Sequence, residues 1–245
     1  AKRTTAPNCI LVFESGYIDG QPPGIAYQVA DTVLAHKCSC ITSLLRVFMD
    51  MQRGFIDVAM LGAAQIDKYG NLNTTYVKRE DGSLLRLPGS GGGNDGASSA
   101  RRTVIIMRLE KRRFVEKLDY VTSIGHYKGG ESRKKELYLP GNGPDVVITD
   151  KAVFKFDPAT KEMYLYSVHP GVSIEEVKEN VGWDLKVPSE VKQTEVPTEY
   201  EVEILRTIDP LDAMLGKSLK RKNVPFDTWY EETVKGWKKF MNIGI

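Results

Sequence analysis

The chain has 245 residues and is 41% hydrophobic, enough for one large domain or two small ones. Its formal net charge of +2 argues against a nucleic-acid partner, no apolar run approaches membrane-spanning length, and the polar start Ala1–Pro7 has no signal core. Cys9, Cys38 and Cys40 are too few and too irregular for a disulfide framework, which points to a reducing, cytoplasmic setting.

The first element is Ile10-Leu-Val-Phe13, an apolar run that predicts a buried strand presenting Glu14 at a sharp turn, with Gly16 following. In an open α/β sheet a carboxylate at a strand's carboxyl end sits where ligands bind. A glutamate leaving a strand into solvent has the same local pattern. Tyr17–Gly24, which together with Gly16 holds three glycines and two prolines, reads as a loop. Residues 28–40 show no clear period. Thr42-Ser43 caps a predicted buried helix over Leu44–Met51, closed by Gly54. Asp57–Gly62 is a nearly all-apolar second strand, as in sheets covered on both faces. Gln65–Asn73 is a polar loop of turn formers, and Thr74–Val77 returns as strand.

Leu87–Ala100 is a glycine run that leads to a strand at Thr103–Met107. It contains Gly91-x-Gly93-x-x-Gly96, but Pro88 and the poor strand before it do not fit a dinucleotide fingerprint. Gly216-Lys217-Ser218 is no phosphate loop, because Leu211 occupies the place of its first glycine. A glycine run does let backbone N–H groups converge on an oxyanion or phosphate. A flexible surface loop has the same composition. Arg101–Lys117 is the most basic segment and reads as a solvated face or a contact for an anionic partner.

Tyr120–Ser123, Asp145–Thr149, Val153–Phe156 and Glu162–Tyr166 are predicted strands. Asp157–Thr160 joins the last two as an antiparallel hairpin. Ser173 caps a helix over Ile174–Val181, and Tyr200–Thr207 is a further helix stopped by Pro210. The tail is basic, and Phe226, Trp229, Tyr230, Val234, Trp237 and Met241 fall at helical spacing. The expected fold is an open, mostly parallel α/β sheet flanked by helices with an antiparallel hairpin extension. Residues 1–215 form the domain and 216–245 the tail.

No metal site is expected, since Cys38-x-Cys40 with His36 lacks zinc spacing and His126 and His169 are isolated. No thiol has an evident activator, and there is no Gly-x-Ser-x-Gly elbow. Glu14 and the glycine run remain. Together they suit acyl chemistry: a carboxylate attacks a thioester to give an anhydride, and clustered N–H groups hold the tetrahedral oxyanion.

Val12-Phe-Glu-Ser-Gly16, Gly62–Thr75, Leu87–Asp95, Glu110–Phe114, Tyr120–Ser123 and Val147–Lys151 resemble, in order, the β subunit of family I coenzyme A transferases of the glutaconate CoA-transferase type. The resemblance runs from Ala1 to about Leu215. It implies that Glu14 is the catalytic carboxylate, passing through a glutamyl-CoA thioester with ping-pong kinetics. It implies that Gly89, Gly91 and Gly92 shape the oxyanion and acyl pocket, with Gly92 the first donor candidate. Ser15, Gly16, Gln65, Asn71, Asn73 and Asn94 are then expected to line the substrate or CoA. No permanent cofactor is implied; the coenzyme A thioester is substrate, beside a carboxylic acid. The implied partner is an α-type subunit, often in an α2β2 assembly, with no nucleic acid and no membrane. The resemblance also implies a further strand and helix ahead of Ala1. Relatives on this scaffold include decarboxylase-like and hydrolase-like members that lack the motif glutamate. A thioester hydrolase, a decarboxylase and a non-catalytic half that completes a partner's site are the alternatives, and Glu14 favours the transferase.

Overall fold

The computed structural model describes residues 2–26 and 28–209. They form two compact units: the described part of Ala1–Val47 with Val196–Ile245, and Phe48–Glu195. The expected tail helix at Phe226–Met241 and the 215/216 boundary lie outside the described residues.

The first unit opens with a correction. Ile10–Phe13 is not a buried strand of the main sheet: Ile10 is 68% exposed. The segment folds back on its own continuation, with Val12 bridging Ile18 and Asp19 N–H donating to Leu11 O at 2.6 Å. Four apolar residues suit either arrangement; the positive φ of Gly16, +105°, selects the return. Tyr17–Ile18 (β1) then pairs antiparallel with Cys40–Ile41 (β2). Between them Thr32–Ala35 makes a 3-10 turn capped by the Asp31 carboxylate. Leu44–Gln52 (α1) forms where expected, and Ser43 Oγ accepts from Arg46 N–H at 3.2 Å. Its predicted burial is corrected: Val47 alone is buried, and Leu45 is 66% exposed.

The second unit is a six-stranded mixed sheet. Val58–Leu61 (β3), Arg102–Ile106 (β8) and Pro144–Ile148 (β9) run parallel. Ala152–Phe156 (β10) and Met163–Val168 (β11) add the antiparallel hairpin, and Lys192–Gln193 (β12) closes the order β12-β11-β10-β9-β8-β3. Alternation explains the core: Thr103 and Ile105 point one way, and Met163, Leu165 and Ser167 follow the same period. Phe114 packs on Phe154 and Trp183, with centroids 5.5 and 6.1 Å away. The hairpin turn is held by Asp157, whose Oδ1 accepts from Ala159 N and Thr160 N at 2.9 and 2.7 Å.

Two small antiparallel pairs precede β8. Gln65–Ile66 (β4) pairs with Leu72–Asn73 (β5), and Tyr76–Lys78 (β6) with Leu84–Arg86 (β7). Gly93–Ser99 (α2) follows the glycine run. Tyr120–Ser123 is corrected from strand to an extended segment with one bridge, Leu72 to Ser123, because only Leu72 offers it a ladder partner. Ser132–Lys135 (α3) is a single turn. Ile174–Glu179 (α4) starts at the Ser173 cap as predicted. The first unit's chain returns in Glu199–Ile208 (α5), begun by a Thr198/Glu201 capping box. No helix among the described residues is long and apolar enough to cross a membrane.

His126 carries a pH expectation. Its ring is buried edge-on against Phe156, and Nε2 donates to Pro144 O at 2.8 Å. Burial chiefly, then Lys161 and Arg133, lowers its pKa from 6.5 to about 4. The unfolded chain binds this proton at higher pH, so its contribution is full above pH 6.5, shrinks as pH falls, and is gone below about 4. Denaturant melts of wild type across that window should show a loss on the order of 3 kcal/mol that His126→Gln lacks.

Candidate active site

Glu14 and Ser15 are the two central residues of a tight turn, closed by Gly16 N–H donating to Phe13 O at 2.9 Å. Phe13 N–H donates to Tyr17 O at 2.9 Å, so the turn crowns the small hairpin. Thr42 N–H donates to Gly16 O at 2.8 Å, which ties the turn to the end of β2. A Cβ at Gly16 would overlap the Thr42 carbonyl oxygen and lie 2.8 Å from its carbonyl carbon. Glycine is thus required twice here, by φ and by contact. Glu14 is half-buried on this crown.

Ser15 Oγ is buried and has no hydrogen-bond partner among the described residues. A buried unpaired hydroxyl opposes folding. Ser15→Ala should therefore leave thermal stability unchanged or raise it by up to about 1 kcal/mol. A clear destabilisation would mean that the hydroxyl is held in the free protein.

The glycine loop belongs to the second unit. Its base is Gly89, with φ +98°, whose N–H donates to Thr74 O at 2.9 Å and whose carbonyl accepts from Thr74 Oγ1 at 2.7 Å. Gly89 therefore acts as a fixed hinge and its N–H is committed. Ser90 then closes the loop: its carbonyl accepts from Gly93 N–H at 2.9 Å and its Oγ from Asn94 N–H at 3.2 Å. Gly91, at the exposed crown with φ +48°, has an N–H that makes no hydrogen bond among the described residues. Gly92 is buried and caps α2. Asn94 is exposed, with its Oδ1 3.4 Å from Ser98 Oγ. A Cβ at Gly96 would meet Ala59 Cβ at 3.2 Å, and one at Gly93 would meet Leu61 Cδ2 at 4.0 Å. The helix therefore runs opposite to β3, which leaves the loop at the carboxyl end of the parallel strands.

Gln65, Asn71 and Asn73 are buried beneath the loop's anchor. Asn73 Nδ2 donates to Gln65 Oε1 and Tyr76 O at 2.8 and 2.7 Å, and its Oδ1 accepts from Thr75 N–H at 3.0 Å. Gln65 Nε2 donates to Asp119 at 2.9 Å. Asn71 donates to Asp67 Oδ2 and Tyr127 O, both at 2.8 Å, and accepts from Gly125 and Tyr127 N–H. Gln65 and Asn73 thus form one pair, which holds the Thr75 amide beside Thr74. Asn71 forms a separate cluster with Asp67, whose pKa is raised, first by burial.

Sequence reasoning missed Thr74 and Thr122, whose Oγ1 accepts from Thr74 N–H at 2.9 Å, and Ser90; the Ser directly before Gly-Gly-Gly-Asn94 is the one readable signal, a cap. It also missed Arg133. Among the described residues no group of three or more His, Cys, Asp or Glu side chains is arranged to hold a metal ion.

A profile of the coenzyme A transferase family matches residues 1–180. The chain is 40% identical over 210 residues to one subunit of the 3-oxoadipate CoA-transferase of Pseudomonas knackmussii, covering 85% of this chain and 80% of that protein. It is 40% identical over 222 residues to one subunit of the glutaconate CoA-transferase of Acidaminococcus fermentans, covering 88% and 82%. The crystal structure of the Acidaminococcus fermentans glutaconate coenzyme A-transferase superposes with a TM-score of 0.80 at 39% identity, over 88% of this chain and 84% of that one. The decarboxylase AibA/AibB has the same fold, with a TM-score of 0.71 at 24% identity over 86% and 80%.

Proposed function

This chain belongs to the coenzyme A transferase family, and we propose that it is the half of an acyl-CoA:carboxylate CoA-transferase that supplies the reacting carboxylate, Glu14. The observation that carries the reading is the Glu14 turn: a carboxylate on a crown whose neighbour, Gly16, admits no side chain. Such a turn holds its carboxylate in one place, as a nucleophile requires.

The chemistry balances in four steps. Glu14 attacks the thioester carbonyl; the C–S bond breaks and the CoA thiolate leaves, giving a mixed anhydride. The thiolate then attacks the Glu14 carbonyl and releases the first acid, giving a glutamyl-CoA thioester. The acceptor carboxylate attacks that thioester and frees the thiolate, giving a second anhydride. The thiolate finally takes the new acyl group and restores Glu14. Each step passes through an oxyanion, and one well-placed N–H donor contributes about 3 kcal/mol. Gly91 and Gly92 are the donors in this reading, with the buried Gln65–Asn73 pair, which holds Thr75 N–H beside the Thr74 anchor, keeping their hinge still.

The partner is an α-type subunit, in keeping with relatives that are themselves named as subunits of such enzymes. Those relatives are named for 3-oxoadipate and glutaconate, both dicarboxylates, so dicarboxylic acids are the acceptors to assay first. We place the enzyme in the cytoplasm. The test is product analysis of the purified two-subunit complex. Exchange of CoA should require both an acyl-CoA and an acceptor acid. Free CoA released at the full rate without acceptor would make it a hydrolase instead.

A further inference from the structure

Arg133, in α3, is 3% exposed and pairs with no carboxylate among the described residues. A guanidinium has five N–H donors in a fixed fork. Here all five meet backbone carbonyls. Nε donates to Gly141 O at 2.9 Å; Nη1 donates to Ile124 O and Gly125 O at 2.9 and 2.7 Å; Nη2 donates to Ala97 O and Ser98 O at 2.6 and 3.0 Å. Burial lowers its pKa to about 10, so it stays charged at neutral pH.

Four of these carbonyls, all but that of Gly141, belong to the supports of the glycine loop. Ala97 and Ser98 lie in the last turn of α2, the helix that rises directly from Gly92. Its sequence, Gly93-Asn-Asp-Gly-Ala-Ser-Ser99, has two glycines and Ala97 as its one strong helix former. Seven such residues do not hold a helix by themselves. Their last carbonyls lack helical partners and carry the negative end of the helix dipole, where a cation is favourable. Ile124 and Gly125 continue from Thr122, whose Oγ1 accepts from Thr74 N–H and lies 2.7 Å from Thr75 Oγ1. Thr74 in turn grips Gly89 through two hydrogen bonds. One buried cation thus ties down both ends of Gly89–Gly92: the far end through α2, the near end through residues 122–125 and Thr74.

We propose that Arg133 is a positioning residue for acyl transfer, fixing the aim of the Gly91 and Gly92 amides beyond the Gly89 hinge without touching substrate. The inference rests on reading that loop as the oxyanion site. Lysine keeps the charge but offers three donors from one point, so it cannot span five carbonyls.

The test compares Arg133→Lys with Gly91→Ala and Gly92→Ala in the assembled two-subunit enzyme. Arg133→Lys should lower kcat by about 10- to 100-fold while the KM for acyl-CoA stays within about 3-fold. Deuterium uptake should rise over residues 88–99 and stay unchanged over the hairpin β10–β11. A wild-type kcat in Arg133→Lys, with both glycine variants slowed, overturns the proposal and leaves the loop reading intact. Glycine variants at the wild-type rate overturn the loop reading, and the proposal with it. A fall in activity that only follows the fraction of folded protein makes Arg133 a stability residue and overturns the proposal. If Arg133→Lys does not assemble, the wild-type enzyme decides. Amides of α2 protected like those of β8 support the proposal, and exchange at the rate of an unstructured peptide overturns it.

Discussion

Glu14→Gln, in the assembled enzyme, should lose CoA transfer by about 10³-fold or more, the scale seen when a covalent nucleophile is removed. The amide has the size of the carboxylate but cannot attack a thioester. Glu14 is half-buried on the crown of a turn, and the turn is closed by backbone hydrogen bonds from Phe13, Gly16 and Thr42 that the substitution leaves in place. The turn should therefore survive the substitution, and the variant should fold and assemble as wild type does. The variant separates three roles. A carboxylate that only binds substrate would raise KM and leave kcat. A structural carboxylate would lower the melting temperature. A nucleophile loses kcat with KM and stability intact. Assay of the variant with saturating acyl-CoA and acceptor, beside a thermal melt, reads all three.

Gly16→Ala has the second largest expected effect, and it acts through geometry alone. The added Cβ overlaps the Thr42 carbonyl, and the backbone at φ +105° is one that alanine avoids. The strain costs about 1–3 kcal/mol, and relief requires the turn to move away from β2. Glu14 moves with it. A displacement of about 1 Å at a reacting group lowers the rate by about 100-fold. Gly54→Ala is the control: Gly54 has φ +79°, but a Cβ there meets nothing within 4 Å. It should lose about 1 kcal/mol of stability and no activity. Equal activity in Gly16→Ala and Gly54→Ala would mean that the turn's position does not matter to the reaction.

The sheet was legible because its strands carry the period of what they bury. β8 and β11 alternate, and Asp157-Pro-Ala-Thr160 has the chemistry of the turn it makes. The first segment was not, because Ile10–Phe13 has the same composition whether it joins a large sheet or folds back on Ile18. The choice lies in the φ of Gly16, which no residue type announces. α1 shows the same limit from the other side. Its apolar positions read as core, yet Leu44, Leu45 and Met49 are exposed in this chain. An apolar face that awaits a partner has the composition of one that has found its core.

Site residues divide in the same way. Glu14 is not marked by its own strand, since a glutamate leaving for solvent has the same local pattern; it stands out through the glycine run and the ordered motifs around it. Gln65, Asn71 and Asn73 also stand out, as polar residues in a loop, but Gln65 and Asn73 are spent on each other, on Asp119 and on backbone, and Asn71 on Asp67 and backbone. Arg133 is invisible in Glu131-Ser-Arg-Lys-Lys135, where Lys135 pairs with Glu131 as a solvated face would. Nothing local marks which of three cations turns inward. Its five carbonyls come from residues 97–98, 124–125 and 141, and only the folded chain assembles them.

The most direct measurement is of the covalent state of Glu14. The assembled enzyme is incubated with an acyl-CoA in the absence of acceptor acid, treated with borohydride, and digested for mass spectrometry. The glutamyl-CoA thioester at Glu14 should be reduced to the corresponding alcohol, and added acceptor acid should abolish the label. An enzyme that turns over normally while Glu14 stays unmodified, or that carries the reducible thioester on another carboxylate, would contradict the assignment of Glu14 as nucleophile.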